Sequence, residues 1–507
     1  MELSYYIVSW ITFPYYVTAL LWLYLFEKVV FWWLTMRYST RLMRLGCADI
    51  YWAVGEKYHN LINVIMTLNM KDPNEDLVAD IREVLNKKIL AEPNKYQKLL
   101  CSLNTFLGYT FLLKEQVKAD DFITVIDVEK TKYSSMKELM FSYSYKPLPL
   151  NNKLLLEIIV IKATKAWKES NDIKENQIPL LIRINHVIAD GLSVMNLCAQ
   201  ALGENDVNLE KSLKNIPKSP EWQRQPAFQF LQKIYLFFMV PGFLLVRYFR
   251  SEAVSVAGQE YEGPMSAYRQ NISYRTEKPG ENLVQKIKDL KKQIGNETSF
   301  SEIILTAVSS SLFNYYEKAL FKIPKSVRMA VVATRDLEPM TVKGVPQLRN
   351  QFGLVNFELP IKIDSTSILA RLEVLKKNTK KLYDDPSELI LRNYITFNLL
   401  KIMPLPLIKR VLPMNGIATV ISNLPEFPKI IVFNGHEVED AYFFTLQRDQ
   451  MATGFAVISY DSRIHLGFVG DVASIPTQAD CDDIVDEFFN AIQRMQTESD
   501  KKRLNIS

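Results

Sequence analysis

Ile182–Leu197 reads IRINHVIADGLSVMNL. It begins inside the apolar run Pro179–Asn185 (PLLIRIN), and from Gly191 the apolar residues recur at helical spacing. The pattern predicts a buried strand, a tight turn and a helix over Gly191–Leu202. The strand delivers His186, and imidazole is the side chain best suited to take a proton near neutral pH. Asp190, four residues on, can hold the turn and fix the setting of the ring, and Gly191 eases the backbone where strand gives way to helix. A histidine at the end of an apolar strand is also often a core residue, so His186 is a candidate that its surroundings must support.

Outward from this stretch, Leu154–Lys162 (LLLEIIVIK) reads as a strand that partners Pro179–Asn185 across the polar loop Glu169–Gln177. Asp76–Leu90 has apolar residues three and four apart and reads as an amphipathic helix. Residues 204–225 are polar and proline-punctuated, as a linker is. Beyond it, Leu283–Ile294, Ser301–Lys318 and Cys481–Thr497 read as helices, and Arg328–Ala333 as a strand. Phe455–Tyr460 and Ile464–Val469 read as a hairpin around Asp461-Ser462. The picture is an α+β chain in two comparable halves.

The 507 residues are 48% apolar and 23% charged, which excludes a disordered chain and a polytopic transporter. A net charge of +5 without a Lys/Arg block gives no nucleic-acid footprint. Cys47, Cys101, Cys198 and Cys481 lie far apart, and only four histidines are present, so neither a metal site nor a disulfide framework is expected. No glycine-rich phosphate loop and no GxSxG nucleophile elbow occurs.

From Leu3 to Phe26 no side chain carries a charge, and after Glu27-Lys28 the apolar run resumes as VVFWWL. About 20 such residues span a hydrocarbon core. The run lacks the basic start and the cleavage site of a signal peptide. Pro14 predicts a kink, hence a re-entrant insertion as an alternative to spanning. Arg37, Arg41 and Arg44 follow the run, which places the rest of the chain in the cytosol. A second apolar stretch, Ile234–Val246 (IYLFFMVPGFLLV), is split by Pro241-Gly242 and reads as an interface-lying segment too short to span, or as a buried helix pair. The resulting division is 1–44 anchor, 45–215 first half, 216–260 linker with the apolar patch, and 261–500 second half.

The stretch Asn185-His186-Val187-Ile188-Ala189-Asp190-Gly191 resembles the HHxxxDG motif of the wax ester synthase/diacylglycerol acyltransferase family, within the CoA-dependent acyltransferase superfamily. Further matches follow in family order: Asp49 in ADIYWAV, Glu157 in LLLE, Thr334-Arg335, Asn350-Gln351-Phe352-Gly353 with Leu359-Pro360, Ser422-Asn423-Leu424-Pro425, and Ser459-Tyr460-Asp461 with Gly467 and Asp471. The resemblance covers residues 45–500. Departures are Asn185 for the first histidine, Leu154-Leu155-Leu156 for PLW, Ser301-Glu302 for Asn-Asp, and Glu426 for a glycine.

The resemblance implies a two-domain chloramphenicol-acetyltransferase-like fold behind a membrane anchor, with the active site between the halves. It implies direct transfer of a fatty acyl group from acyl-CoA, a co-substrate, to a lipid alcohol, giving wax ester or triacylglycerol, with no bound cofactor and no metal. His186 would be the general base. Asp190, paired with a basic side chain, would hold the loop, with Asn185 and Gly191 in support. Ser422 and Asn423 are candidates for the oxyanion donors, and Asn350 and Gly353 for substrate binding. The expected location is the endoplasmic reticulum membrane, with the catalytic part facing the cytosol. Two alternatives stand beside it: a catalytically lapsed lipid-binding protein of the same fold, and an acyltransferase for a sterol or other small alcohol.

Overall fold

The computed structural model describes residues 3–54, 60–72, 75–144, 146–203, 221–249, 255–256, 259–260, 270–295, 297–319, 323–333, 338–342, 345–411, 417–445 and 451–504. Residues 204–220 of the expected linker, and the matched Thr334-Arg335, lie outside them.

Two six-stranded sheets organise the chain. The strands are β1 (Leu61–Asn69), β2 (Ile123–Asp127), β3 (Leu156–Lys162), β4 (Gln177–Asn185), β5 (Gln270–Thr276), β6 (Ser326–Ala333), β7 (Gly353–Pro360), β8 (Thr419–Phe427), β9 (Ile431–Val432), β10 (His436–Phe444), β11 (Thr453–Tyr460) and β12 (Arg463–Asp471). The first sheet runs β9-β10-β1-β4-β3-β2 and the second β5-β12-β11-β8-β6-β7. β4 lies between β1 and β3, antiparallel to both, and almost every residue of it is buried. Burial on both faces is why it reads as a continuous apolar run rather than an alternating one. The expected pairs β3/β4 and β11/β12 form in antiparallel register.

One pairing crosses the division of the chain into halves. Residues 431–444 belong by position to the second half, yet β10 pairs with β1 and completes the first sheet. The boundary at 261–500 is therefore not a boundary between sheets. Strand pairing depends on partners far apart in sequence, and local patterning carries no sign of it.

Both apolar stretches are continuous helices. Helix α1 spans Leu3–Tyr38 and runs through Pro14 without a break. The second stretch lies within Pro226–Phe249, which runs through Pro241. This corrects the expectation that the second stretch is split and too short: both helices are long and apolar enough to cross a membrane. The two pack on each other. Ser9 Oγ accepts from the Gly242 N–H at 3.1 Å and lies 3.4 Å from the Met239 carbonyl. A Cβ on Gly242 would come within 2.1 Å of the Tyr5 carbonyl, so the close approach depends on the glycine. Polar groups near a proline are thus met from the neighbouring helix, as happens in membrane helices. Tyr5 on Phe243 and Phe13 on Phe237 and Phe238 extend the contact. The outer faces remain apolar, with Trp10, Tyr15 and Trp22 each at least 70% exposed. The lower end of α1 docks on a three-stranded sheet through Val30, Phe31 and Leu34 against Tyr109, Phe111 and Leu113.

Candidate active site

Two short helices position the site: α2 (Cys47–Trp52) and α3 (Gly191–Gln200). β4 ends at Asn185 and the chain turns. Asn185 Oδ1 accepts from the Val187 N–H at 3.0 Å, and its carbonyl accepts from the Ile188 N–H at 3.0 Å. An asparagine supplies this local turn bond readily. The His186 N–H donates to the Asn60 carbonyl at 2.7 Å, which fixes the backbone from the side of β1.

Asp190 is the N-cap of α3. Its Oδ1 accepts from the Ser193 N–H at 2.9 Å and its Oδ2 from the Gln351 N–H at 2.8 Å. The hydrogen bonds it receives thus come from backbone N–H groups, where the sequence suggested a basic side chain. The start of a helix offers unpaired donors and a partial positive charge, which serve a carboxylate as a cation would. Burial pushes the Asp190 carboxyl up to about 6, against the lowering effect of the two N–H groups. The Asp190 N–H and Ser193 Oγ also donate to the Arg349 carbonyl, at 3.3 and 2.9 Å. Asp190 therefore clamps the backbone on both sides of Asn350.

That clamp sets Asn350 against the histidine. Asn350 Oδ1 lies 2.9 Å from His186 Nδ1, and its Nδ2 donates to Asp49 Oδ1 at 2.9 Å and to the His186 carbonyl at 3.0 Å. A carboxylate and a carbonyl only accept, so the amide nitrogen faces them and the amide oxygen faces the ring. In the neutral imidazole Nδ1 then carries the proton, and Nε2 is the basic nitrogen. Asp49 is held in turn by Lys98, whose Nζ donates to Oδ2 at 2.7 Å and to the Ile188 carbonyl at 3.2 Å. The result is a polar chain from Lys98 through Asp49 and Asn350 to His186. Trp52 stacks on the imidazole at 3.6 Å between centroids and 17° between planes, fixing its remaining freedom.

His186 borders a cavity to which both sheets contribute. Phe352, Leu354, Val420, Phe443 and Met451 give it a mostly apolar wall. Asp190, Gly191, Asn350, Ser422 and Asn423 also line it, so six of the eight sequence candidates meet here. Asn423 Nδ2 lies 3.4 Å from Ser301 Oγ, and its Oδ1 is buried without a hydrogen-bond partner. Asn185 stands just behind the wall, at the turn. Gly353 is not part of the lining: a Cβ there would meet Asn393 Oδ1 at 2.0 Å, so the glycine admits a helix side chain to the strand. Gly191 has an ordinary backbone, and a Cβ on it would meet Leu424 only at van der Waals distance, so the conformational freedom expected of it is not used. Glu426 faces Lys288 at 3.3 Å. Glu157 is buried against Arg183, bonding β3 to β4. Trp52 and Lys98 were not among the sequence candidates. Trp52 sits three residues after Asp49 in the matched ADIYWAV segment, whereas nothing in KYQKLL sets Lys98 apart.

Residues 348–496 match the family model of the WS/DGAT C-terminal domain. No curated protein matches the chain in sequence. Among solved structures, the wax ester synthase/diacylglycerol acyltransferase from Marinobacter aquaeolei VT8 is similar at 15% identity and a TM-score of 0.56, over 90% of this chain and 100% of that one. The trichothecene 15-O-acetyltransferase from Fusarium sporotrichioides is similar at 12% identity and a TM-score of 0.57, over 89% of this chain and 95% of that one. The starter condensation domain of rhizomide synthetase, solved in complex with C8-CoA, is similar at 10% identity and a TM-score of 0.53, over 90% and 95%. The fold is that of the CoA-dependent acyltransferases and condensation domains. The resemblance to the wax ester synthase/diacylglycerol acyltransferase family holds in sequence over residues 348–496, and in fold over most of the chain.

Proposed function

We infer that the chain is an acyl-CoA-dependent O-acyltransferase that works at a membrane on a lipid alcohol, a long-chain alcohol or a diacylglycerol. The observation that carries this reading is the Asn350–His186 bond, which makes Nε2 the basic nitrogen of a ring bordering an apolar cavity. An alcohol is far too weak an acid to ionise near pH 7, so a base must take its proton as the new bond forms. His186 Nε2 takes that proton while the alcohol oxygen attacks the thioester carbonyl. The imidazolium formed is steadied by Asn350 Oδ1, which Asp49 and Lys98 hold in turn. The oxyanion needs donors already in place. Ser422 and Asn423 are assigned that role from β8. Collapse of the tetrahedral intermediate breaks the carbon–sulfur bond, and the CoA sulfur leaves with the proton that His186 returns. The product is the ester. Asp190 is a positioning residue that acts through the Asn350 segment.

Two paired apolar helices support placement at a membrane, where a lipid alcohol concentrates. Arg37, Arg41 and Arg44 after the first apolar run favour a cytosolic catalytic body, and the endoplasmic reticulum is the membrane proposed. The test is ester formation in membranes expressing the protein, with labelled palmitoyl-CoA and hexadecanol, dioleoylglycerol or a sterol. Product that disappears with His186→Ala at equal protein level supports the enzyme, and the preferred acceptor names it. Wild type at the level of His186→Ala with every alcohol would overturn the reading in favour of a lipid-binding protein.

A further inference from the structure

The three-stranded sheet at the foot of α1 ends in a hairpin, Cys101–Phe106 and Tyr109–Lys114. Phe106 pairs with Tyr109, so the loop is Leu107-Gly108 alone. Their φ angles are +48° and +82°, as in a type I′ turn, where both central residues are left-handed. Asparagine, aspartate and glycine suit the first of these positions, and the Cβ of a leucine opposes it. Leu107 stands there with 58% of its surface exposed. Neither the turn nor the packing of the body explains that choice of residue.

The hairpin climbs α1 toward its apolar part. Phe111 meets the Tyr38 ring, Tyr109 meets Phe31 and Phe26, and Tyr109 Oη lies 3.4 Å from the Leu23 carbonyl. The turn follows beyond Tyr109, level with the end of the uncharged run Leu3–Phe26. A second segment is fastened at the same level. The Gly108 carbonyl accepts from the Leu405 N–H at 2.8 Å, and Tyr109 Oη donates to the Ile402 carbonyl at 3.1 Å. A Cβ on Gly108 would come within 2.8 Å of Pro404, so the glycine seats the turn on this segment. The segment continues as the short helix Leu405–Val411, on which Pro406, Lys409 and Arg410 are exposed. From Leu389 to Pro425 the chain holds Arg392, Lys401, Lys409 and Arg410 and no acidic side chain. A second cavity of the body lies behind the hairpin, between Glu27 and Phe31 of α1 and Tyr109 and Thr110. Its Glu27 carboxylate is already paired with Arg44 at 3.0 Å, so the surface left for a partner is the outer one.

An apolar turn beside a basic helix matches the boundary between acyl chains and anionic headgroups. Continuity with the apolar run of α1 favours a lipid surface over a protein one. We propose that the Leu107-Gly108 turn and the helix Leu405–Val411 form a landing surface on the bilayer into which α1 inserts. Leu107 and Pro406 reach the acyl boundary, and Lys409 and Arg410 meet the phosphates of anionic lipids. The surface rests on the membrane reading given above and adds a lipid class to it.

Fluorescence quenching of the full chain in vesicles of phosphatidylcholine and phosphatidylserine tests the surface. Leu107→Cys and Trp22→Cys, each combined with Cys47→Ser, carry an environment-sensitive label, the other three cysteines being buried. The Leu107 label should be quenched by nitroxide-bearing lipid and shielded from aqueous iodide. Lys409→Gln with Arg410→Gln should lower the docked-to-free ratio read from that quenching about tenfold, and vesicles of phosphatidylcholine alone should do the same. A Leu107 label open to iodide overturns the proposal. So does one shielded from both quenchers, as under a second copy of the chain, and so does lipid quenching indifferent to the two cations. Leu107→Asn suits the turn and should leave the melting temperature in detergent unchanged or higher, whereas a fall would assign the leucine to the fold. The Trp22 label separates the two readings. If lipid quenches it but not the Leu107 label, the landing surface alone fails, and if lipid quenches neither, the membrane reading fails with it.

Discussion

His186 and His465 are both buried histidines at the ends of polar chains, and of the two only His186 lines one of the cavities described. His465 Nε2 lies 3.0 Å from Asp440 Oδ1 and its Nδ1 3.3 Å from the Arg463 carbonyl, with Tyr442 and Tyr460 edge-on to the ring. It lines neither of the two cavities described. His186 has an amide in place of the carboxylate, one stacked face and an apolar space beside it. A histidine–carboxylate pair alone is therefore no sign of catalysis. What sets the proposed base His186 apart is a partner that fixes the tautomer and a space beside the ring.

The sharpest way to break this contrast is to remove each ring. His186→Ala should lower ester formation by about 10²–10⁴-fold with little change in melting temperature. His465→Ala should do the reverse, costing roughly 2–3 kcal/mol in denaturant unfolding while the folded fraction keeps its rate. Equal effects on rate would dissolve the distinction. Next in size is Asn350→Asp, which gives His186 the kind of partner His465 has. A carboxylate favours the imidazolium, so the acid limb of the pH–rate profile should move up by about 1–3 units. The new carboxylate also faces Asp49, to which the amide had donated, so an unmoved limb would show that it takes up a proton there and not that the ring contact is absent.

Asp190 offers a smaller effect with a definite sign. Its carboxyl is pushed up to about 6 by burial, above the usual range near 3.9 of an unfolded chain. Between these values the native state binds more protons than the unfolded one, so this group's contribution to stability falls as pH rises from about 4 to 6. Asp190→Asn should flatten that part of the stability–pH curve. It should also slow transfer, because its amide N–H would face the Ser193 or Gln351 N–H and loosen the segment bearing Asn350. The smallest effect is expected of Gly191→Ala, within about 1 kcal/mol of wild type by thermal unfolding, since its backbone is ordinary and the new methyl has room beside Leu424.

The strand, turn and helix around His186 were legible because burial on both faces of β4 and the cap at Asp190 write themselves into local sequence. The chain Lys98–Asp49–Asn350–His186 was not. Asp49 and Asn350 are 301 residues apart, and no local pattern records that they touch. Lys98 has no distinguishing neighbours, and Trp52 reads as one aromatic among many. Both apolar helices were visible as composition, yet their passage through Pro14 and Pro241 was not. For Pro241 the break expected of a lone helix is offset by Ser9 and the close contact at Gly242, which only the paired structure supplies.

The crossing of β10 into the first sheet bears on how the chain is made. When β4 has left the ribosome, β1 still has an open edge, because its other neighbour lies about 250 residues downstream. At roughly 5–20 residues per second, that edge waits on the order of 10–50 seconds. An open edge on a strand of nine mostly apolar residues invites pairing with another nascent chain. A ribosome paused between residues 186 and 435 would therefore hold an aggregation-prone half, and residues 45–215 expressed alone would carry the same open edge.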